Sequence, residues 1–109
     1  MKSSRQINLE NADYYGFEVQ KDQCIEECAE LIQALNKYSR ANGKGKSVTI
    51  GTAEAVLNVI EEIADVEVMI EQMVHLLGIR RVDIETVKMQ KIVRTETEIE
   101  KEKEKKKYE

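Results

Sequence analysis

Two short acidic segments of this chain repeat one pattern, Glu26-Glu27-Cys28-Ala29-Glu30 and Glu61-Glu62-Ile63-Ala64-Asp65. Both read acid, acid, apolar, alanine, acid. Each residue of an α-helix turns the chain by about 100°, so Glu27 and Glu30 stand roughly 60° apart on one face, and so do Glu62 and Asp65. Acids at this spacing also serve simply to solvate a helix surface. Two matched pairs favour a more specific use. Four carboxylates in one groove repel each other and raise each other's pKa unless cations sit between them. A set of oxygen donors without thiolate or imidazole suits Mg²⁺ or Mn²⁺. A di-iron bundle would supply Glu-x-x-His from two helices, whereas here the third residue on is Glu30 or Asp65 and the single histidine, His75, lies elsewhere.

Pairs spaced in this way require helices to carry them. From Val19 to Arg40, Cys24, Ile25, Cys28, Leu31, Ile32, Leu35 and Tyr38 recur at steps of three and four, which predicts one helix. From Ala53 to Leu77 a second stripe runs through Val56, Val59, Ile60, Ile63, Ile70, Val74 and Leu77, and Gly78 is placed to cap it in the left-handed conformation. Measured from Cys28 and from Ile63, both acid pairs lie on the same flank, roughly 100° to 160° round. Packing stripe on stripe would bring the four carboxylates towards one groove. Between the two helices, Ala41 to Gly51 is polar and holds Gly43, Gly45 and Gly51, a connection longer than most in helical bundles.

Asp83 is the expected N-cap of a third helix, with Glu85 in its first turn and Ile84, Val87 and Val93 as apolar contacts. Residues 1–94 form the expected helical domain, and 95–109, TETEIEKEKEKKKYE, a charged helical or frayed tail. The first residues, with Leu9, Tyr14, Tyr15 and Phe17, are read as a short lead-in element. The expected fold is all-α: an antiparallel bundle of two long helices with a third beside them, its four-helix core completed by the lead-in or by a second subunit.

Composition agrees. Among 109 residues there is no Pro and only five Gly, too few turn signals for a sandwich or barrel. Seventeen Lys and Arg against 21 Asp and Glu leave a net charge of −4, with no general pull towards nucleic acid or an anionic membrane. No apolar run is long enough to span a bilayer, the first residues do not resemble a signal peptide, and two cysteines are too few for a secreted framework. A cytoplasmic protein is expected. A chain this short has a modest core of its own, which favours homo-oligomerisation.

With Glu27-x-x-Glu30, Glu62-x-x-Asp65 and the preceding Glu26 and Glu61, the chain from about Gln20 to Arg94 resembles the MazG-like nucleotide pyrophosphohydrolases of the all-α NTP pyrophosphatase superfamily. The resemblance implies a Mg²⁺-dependent enzyme, with Mn²⁺ as a substitute, that hydrolyses nucleoside triphosphates to the monophosphate and pyrophosphate. It implies that Glu27, Glu30, Glu62 and Asp65 are the metal ligands. A basic motif follows in the family, and Lys88, Lys91 and Arg94 stand at comparable spacing, which makes Lys91 and Arg94 candidate phosphate contacts. Such relatives assemble as dimers or tetramers. Glu26 and Glu61 are candidates to orient the attacking water. The separation of Glu30 from Glu62 exceeds the family's usual one, so the segment Ala41 to Gly51 reads as an expansion. The competing readings are a non-catalytic helical interaction module and a relative that binds nucleotide without hydrolysing it.

Other signals are weaker. Gly45-Lys46-Ser47 mimics a phosphate loop, but Arg40 stands where the first glycine belongs and the segment follows a helix. Lys44 and Lys46 remain candidates to meet phosphate from a loop. Cys24, Cys28 and His75 invite a zinc reading, yet both cysteines lie on the apolar stripe, where core packing is the better account. Met69, Met73 and Met89 are read as core, and Tyr14, Tyr15, Phe17 and Tyr38 as core before base-stacking rings. Glu67 falls within the second apolar stripe, where a paired structural acid is preferred to a further metal or water contact.

Overall fold

The computed structural model, which describes residues 1–41 and 51–108, has four α-helices and no strand among the described residues. These are α1 (Ser4–Tyr15), α2 (Phe17–Ser39), α3 (Thr52–Leu76) and α4 (Arg81–Lys107). The fold is the all-α helical bundle expected. Apart from its two ends, the connection expected over Ala41 to Gly51, with Lys44, Lys46 and Ser47, lies outside the described residues.

The lead-in is a full three-turn helix. Ser3 Oγ accepts the Gln6 N–H at 3.1 Å, and the Ser3 N–H donates to Gln6 Oε1 at 2.8 Å, a reciprocal cap that satisfies two otherwise orphaned donors. Gly16 then reverses the chain in a single residue. Its φ of 85° and ψ of 168° lie in a region essentially restricted to glycine. Its N–H bonds back to the Ala12 carbonyl at 2.8 Å, and its own carbonyl accepts the Gln20 N–H at 3.1 Å. At the end of α3, Gly78 takes φ 64° and its N–H bonds to the His75 carbonyl, the left-handed stop its sequence position predicts. Asp83 is not a cap: α4 begins at Arg81, and Asp83 sits in its first turn, accepting two hydrogen bonds from the Arg80 guanidinium at 3.1 and 2.8 Å.

The chain divides into two compact units, Met1–Gly78 and Ile79–Glu109. In the second, α4 runs without a break past Arg94 to Lys107 and buries none of its residues, so the charged tail is helical. In the first, α2 and α3 are antiparallel. Gln20 meets Gln72 at one end, and at the other Thr52 Oγ1 donates to the Ala41 carbonyl at 3.3 Å. α1 runs parallel to α3, with Asn8 beside Val68 and Glu71 and Asp13 beside His75.

The α2–α3 seam is not the pair of apolar stripes. Its residues repeat every seven positions: Gln20, Glu27 and Ala34 with Gln23 and Glu30 on α2, and Ala55, Glu62 and Met69 with Asn58, Asp65 and Gln72 on α3. All eleven are buried or half-buried. Most of the stripe residues instead face outward, Ile25 at 62%, Ile32 at 61% and Ile60 at 58% exposure, with Leu35, Val56, Ile63 and Ile70 also exposed, while Cys24, Leu31, Tyr38, Val59 and Val74 are half-buried. On each helix the stripe lies about 135° round from the seam in the same rotational sense, which for antiparallel helices puts both stripes on one side of the pair. The expectation that stripe packs on stripe is thereby corrected. The buried apolar residues are small or few, namely Ala12, Ala34, Ala55, Val66 and Met69.

A chain of amides supplies what this thin core lacks. Gln20 Nε2 donates to Gln72 Oε1 at 2.7 Å, Gln72 Nε2 to Asn8 Oδ1 at 2.7 Å, and Asn8 Nδ2 to the Val68 carbonyl and to Glu71 Oε1, both at 3.0 Å. Each side chain fixes the orientation of the next, so α1, α2 and α3 are locked in one register.

Candidate metal centre

Halfway along the seam, Glu27 and Glu30 of α2 meet Glu62 and Asp65 of α3. One carboxylate oxygen from each of the four lies within 4.8 Å of all the others. The two-helix convergence expected from the paired motifs is present, although it arises by facing the acids inward rather than by letting them flank an apolar contact. All four are half-buried, and Glu27 Oε2 and Glu62 Oε2 are shielded from solvent with no hydrogen-bond partner among the described residues.

The electrostatics follow from this crowding. Desolvation, then the charges of Asp65, Glu27 and Glu61, push the Glu62 carboxyl above its ordinary range, with a contact to Glu30 acting the other way. Desolvation and the neighbouring Glu27 raise Asp65 in the same direction. Shielded carboxylate oxygens aimed at other carboxylates are in conflict as they stand, and a small divalent cation resolves it by supplying positive charge and taking up the free lone pairs. The donor chemistry therefore fits Mg²⁺ or Mn²⁺. Among the described residues, no other group of histidine, cysteine and acidic side chains comes together in this way.

The remaining candidates sit elsewhere. Glu26 and Glu61 are exposed and fall outside the four-carboxylate group, each next to one of its members in the chain. Lys88, Lys91 and Arg94 are exposed on α4, Lys88 lying 3.7 Å from Glu85. Cys24 is half-buried and Cys28 exposed, while His75 Nε2 is 2.8 Å from Asp13 Oδ1, so these three form no common site. The core reading fails for Cys28, because the stripe that carries it faces outward. Tyr14 and Tyr15 are also exposed, in edge-to-face contact at 5.0 Å, whereas Phe17 and Tyr38 are half-buried. Met69 is core, Met73 is half-buried and Met89 is exposed. Glu67 is exposed and makes no ion pair among the described residues; it borders a groove of about 600 Å³ between α1 and α3, with Arg5, Asn8 and Glu71. It is thus neither a buried paired acid nor a member of the cluster.

Periodicity alone missed Gln23, whose Nε2 donates to Glu27 Oε1 at 2.7 Å. The signal was available one turn before the acid motif, and Asn58 stands at the matching position before Glu62.

Comparison of the chain with protein-family models gives no match, and comparisons with curated proteins and with solved structures give none either. No helix among the described residues is long and apolar enough to cross a membrane.

Proposed function

We propose that this protein is a Mg²⁺-dependent nucleoside triphosphate pyrophosphohydrolase of the MazG-like kind, converting NTPs or dNTPs to the monophosphate and pyrophosphate. The observation that carries the reading is the convergence of Glu27, Glu30, Glu62 and Asp65 from two helices, with two shielded oxygens lacking partners among the described residues. These four would hold Mg²⁺, or Mn²⁺ in its place. When bound, the cation supplies charge neutralisation for the triphosphate and a more acidic water as nucleophile.

The same reading gives roles to further residues. Glu26 and Glu61, exposed and next to the ligands in the chain, would orient the water and accept its proton. Lys91 and Arg94 are assigned to the substrate phosphates on the strength of the resemblance, where their charge would offset that of the departing pyrophosphate. The same reading makes the protein a cytoplasmic homo-oligomer, a dimer or a tetramer. The exposed apolar side of the α2–α3 pair supports a second copy, because a contiguous patch of this kind is rare on a monomer.

The test is incubation of purified protein with a panel of NTPs and dNTPs plus Mg²⁺, following monophosphate and pyrophosphate. Turnover that falls at least a hundredfold in Glu62→Ala is the expected result, since losing even a group that only orients a metal ligand costs about ten- to a hundredfold. Absence of turnover with every nucleotide, or unchanged turnover in Glu62→Ala, overturns the reading. A thermal melt separates it from an interaction module, since a cation bound by the native state must raise apparent stability.

A further inference from the structure

Glu27 is the only member of the cluster whose carboxylate accepts a hydrogen bond from a neutral side-chain amide among the described residues. Gln23 stands one turn earlier on α2, half-buried, and its Nε2 reaches Glu27 Oε1 at 2.7 Å. The other oxygen, Oε2, is shielded from solvent and has no partner among the described residues. The two oxygens of one carboxylate are thus divided, one held by the amide and one left open. A glutamate has three side-chain torsions to immobilise, and holding them before a cation arrives removes part of the ordering cost from the binding step. An amide does this without adding charge, where a lysine would compete with the cation and an acid would add to the repulsion.

The matching position on α3 is a natural control. Asn58 is also half-buried and also precedes its acid, Glu62, by four residues, but its side chain is one methylene shorter and makes no hydrogen bond to Glu62 among the described residues. The amide at this position is therefore engaged on α2 alone.

We infer that Gln23 is a positioning residue of the carboxylate cluster, holding Glu27 in the conformation that presents Oε2 to a divalent cation. The inference rests on the cation-site reading above and adds to it a residue that no ligand pattern identifies.

Calorimetric titration of the full chain with Mg²⁺ alone, and Mn²⁺ titration followed by electron paramagnetic resonance, test it without reference to turnover. Gln23→Leu and Gln23→Met keep the side-chain bulk and remove the donor. Both are expected to weaken Mg²⁺ and Mn²⁺ binding roughly ten- to a hundredfold, the usual effect of losing a group that orients a ligand. They should also broaden the bound Mn²⁺ spectrum and leave the helical circular dichroism unchanged. Asn58→Leu should bind within about twofold of wild type. Wild-type affinity and spectrum in both Gln23 variants would overturn the positioning role while leaving the cation site standing, and so would an Asn58→Leu loss as large as theirs. Failure of the wild-type chain to bind either cation would overturn both.

Discussion

At the scale of single residues, the cluster makes an unusual demand on pH. Glu62 and Asp65 have carboxyl pKa values raised above their ordinary 4.5 and 3.8, so the folded chain binds these protons more tightly than the unfolded chain. The sign of the linkage is then fixed. Without a cation, the pair costs stability at neutral pH; that cost is relieved as pH falls through the raised folded-state values, and it is gone below the ordinary ones. In EDTA, Glu62→Gln should melt higher than wild type at about pH 7.5, and the difference should shrink towards zero at about pH 4. Added Mg²⁺ should raise the wild-type melting temperature at the higher pH and barely at the lower, since protons and the cation compete for the same oxygens. Thermal melts across this range, with and without Mg²⁺, check both statements. Wild-type and Glu62→Gln curves that run parallel throughout would contradict them.

Among the elements, the polar character of the seam needs a source of order other than apolar burial. The amide chain through Gln20, Gln72 and Asn8 provides it, because Gln72 is engaged at both its oxygen and its nitrogen and a slip of one residue along α1 or α3 would break several bonds at once, and along α2 the Gln20–Gln72 bond. Gln72→Leu is the informative substitution. It strands the Gln20 donor and the Asn8 acceptor, at about 1–3 kcal/mol for each unsatisfied group. Urea unfolding should report a loss in that range or above. Amide exchange should show α1 opening first, since α1 is tied to α3 largely through Asn8 and the Asp13–His75 contact. If α1 stayed fully protected, the amide chain would not be what locks the register. The N-terminal helix was itself legible in Ser3 and Gln6, whose three-residue spacing is a capping signature; apolar periodicity does not detect it because α1 buries only Ala12.

For the molecule as a whole, the contrast between a thin core and a broad exposed apolar side is what the proposed homo-oligomer would relieve. A chain that leaves Ile25, Ile32, Leu35, Val56, Ile60 and Ile63 about half open to water forgoes roughly half of the 1.5–3 kcal/mol that full burial gives, about 1 kcal/mol for each side chain that a partner could cover. In a two-fold dimer every such residue counts twice. Ile60→Glu should therefore raise the dissociation constant of the proposed assembly at least a hundredfold, read by light scattering behind gel filtration at several concentrations. Its helical circular dichroism should stay intact, because Ile60 faces away from the α2–α3 seam. An unchanged mass in the variant would mean that this face does not join the copies.

Much of this protein can be read from its residues in order. The absence of proline, the three- and four-residue periods and the glycine at position 78 determine an all-α chain and where α3 stops, because these are local matters of torsion and hydrogen bonding. The i, i+3 spacing likewise determines that Glu27 shares a face with Glu30, and Glu62 with Asp65. Which faces meet was decided only by tertiary structure. An apolar stripe marks a surface that prefers to leave water, but it does not say whether the partner is the neighbouring helix or another chain. Here α2 and α3 meet along the seven-residue repeat of Gln20, Glu27 and Ala34 against Ala55, Glu62 and Met69. Alanines allow close approach and amides pair across that line, so the acids turn inward and the apolar stripes are left outside.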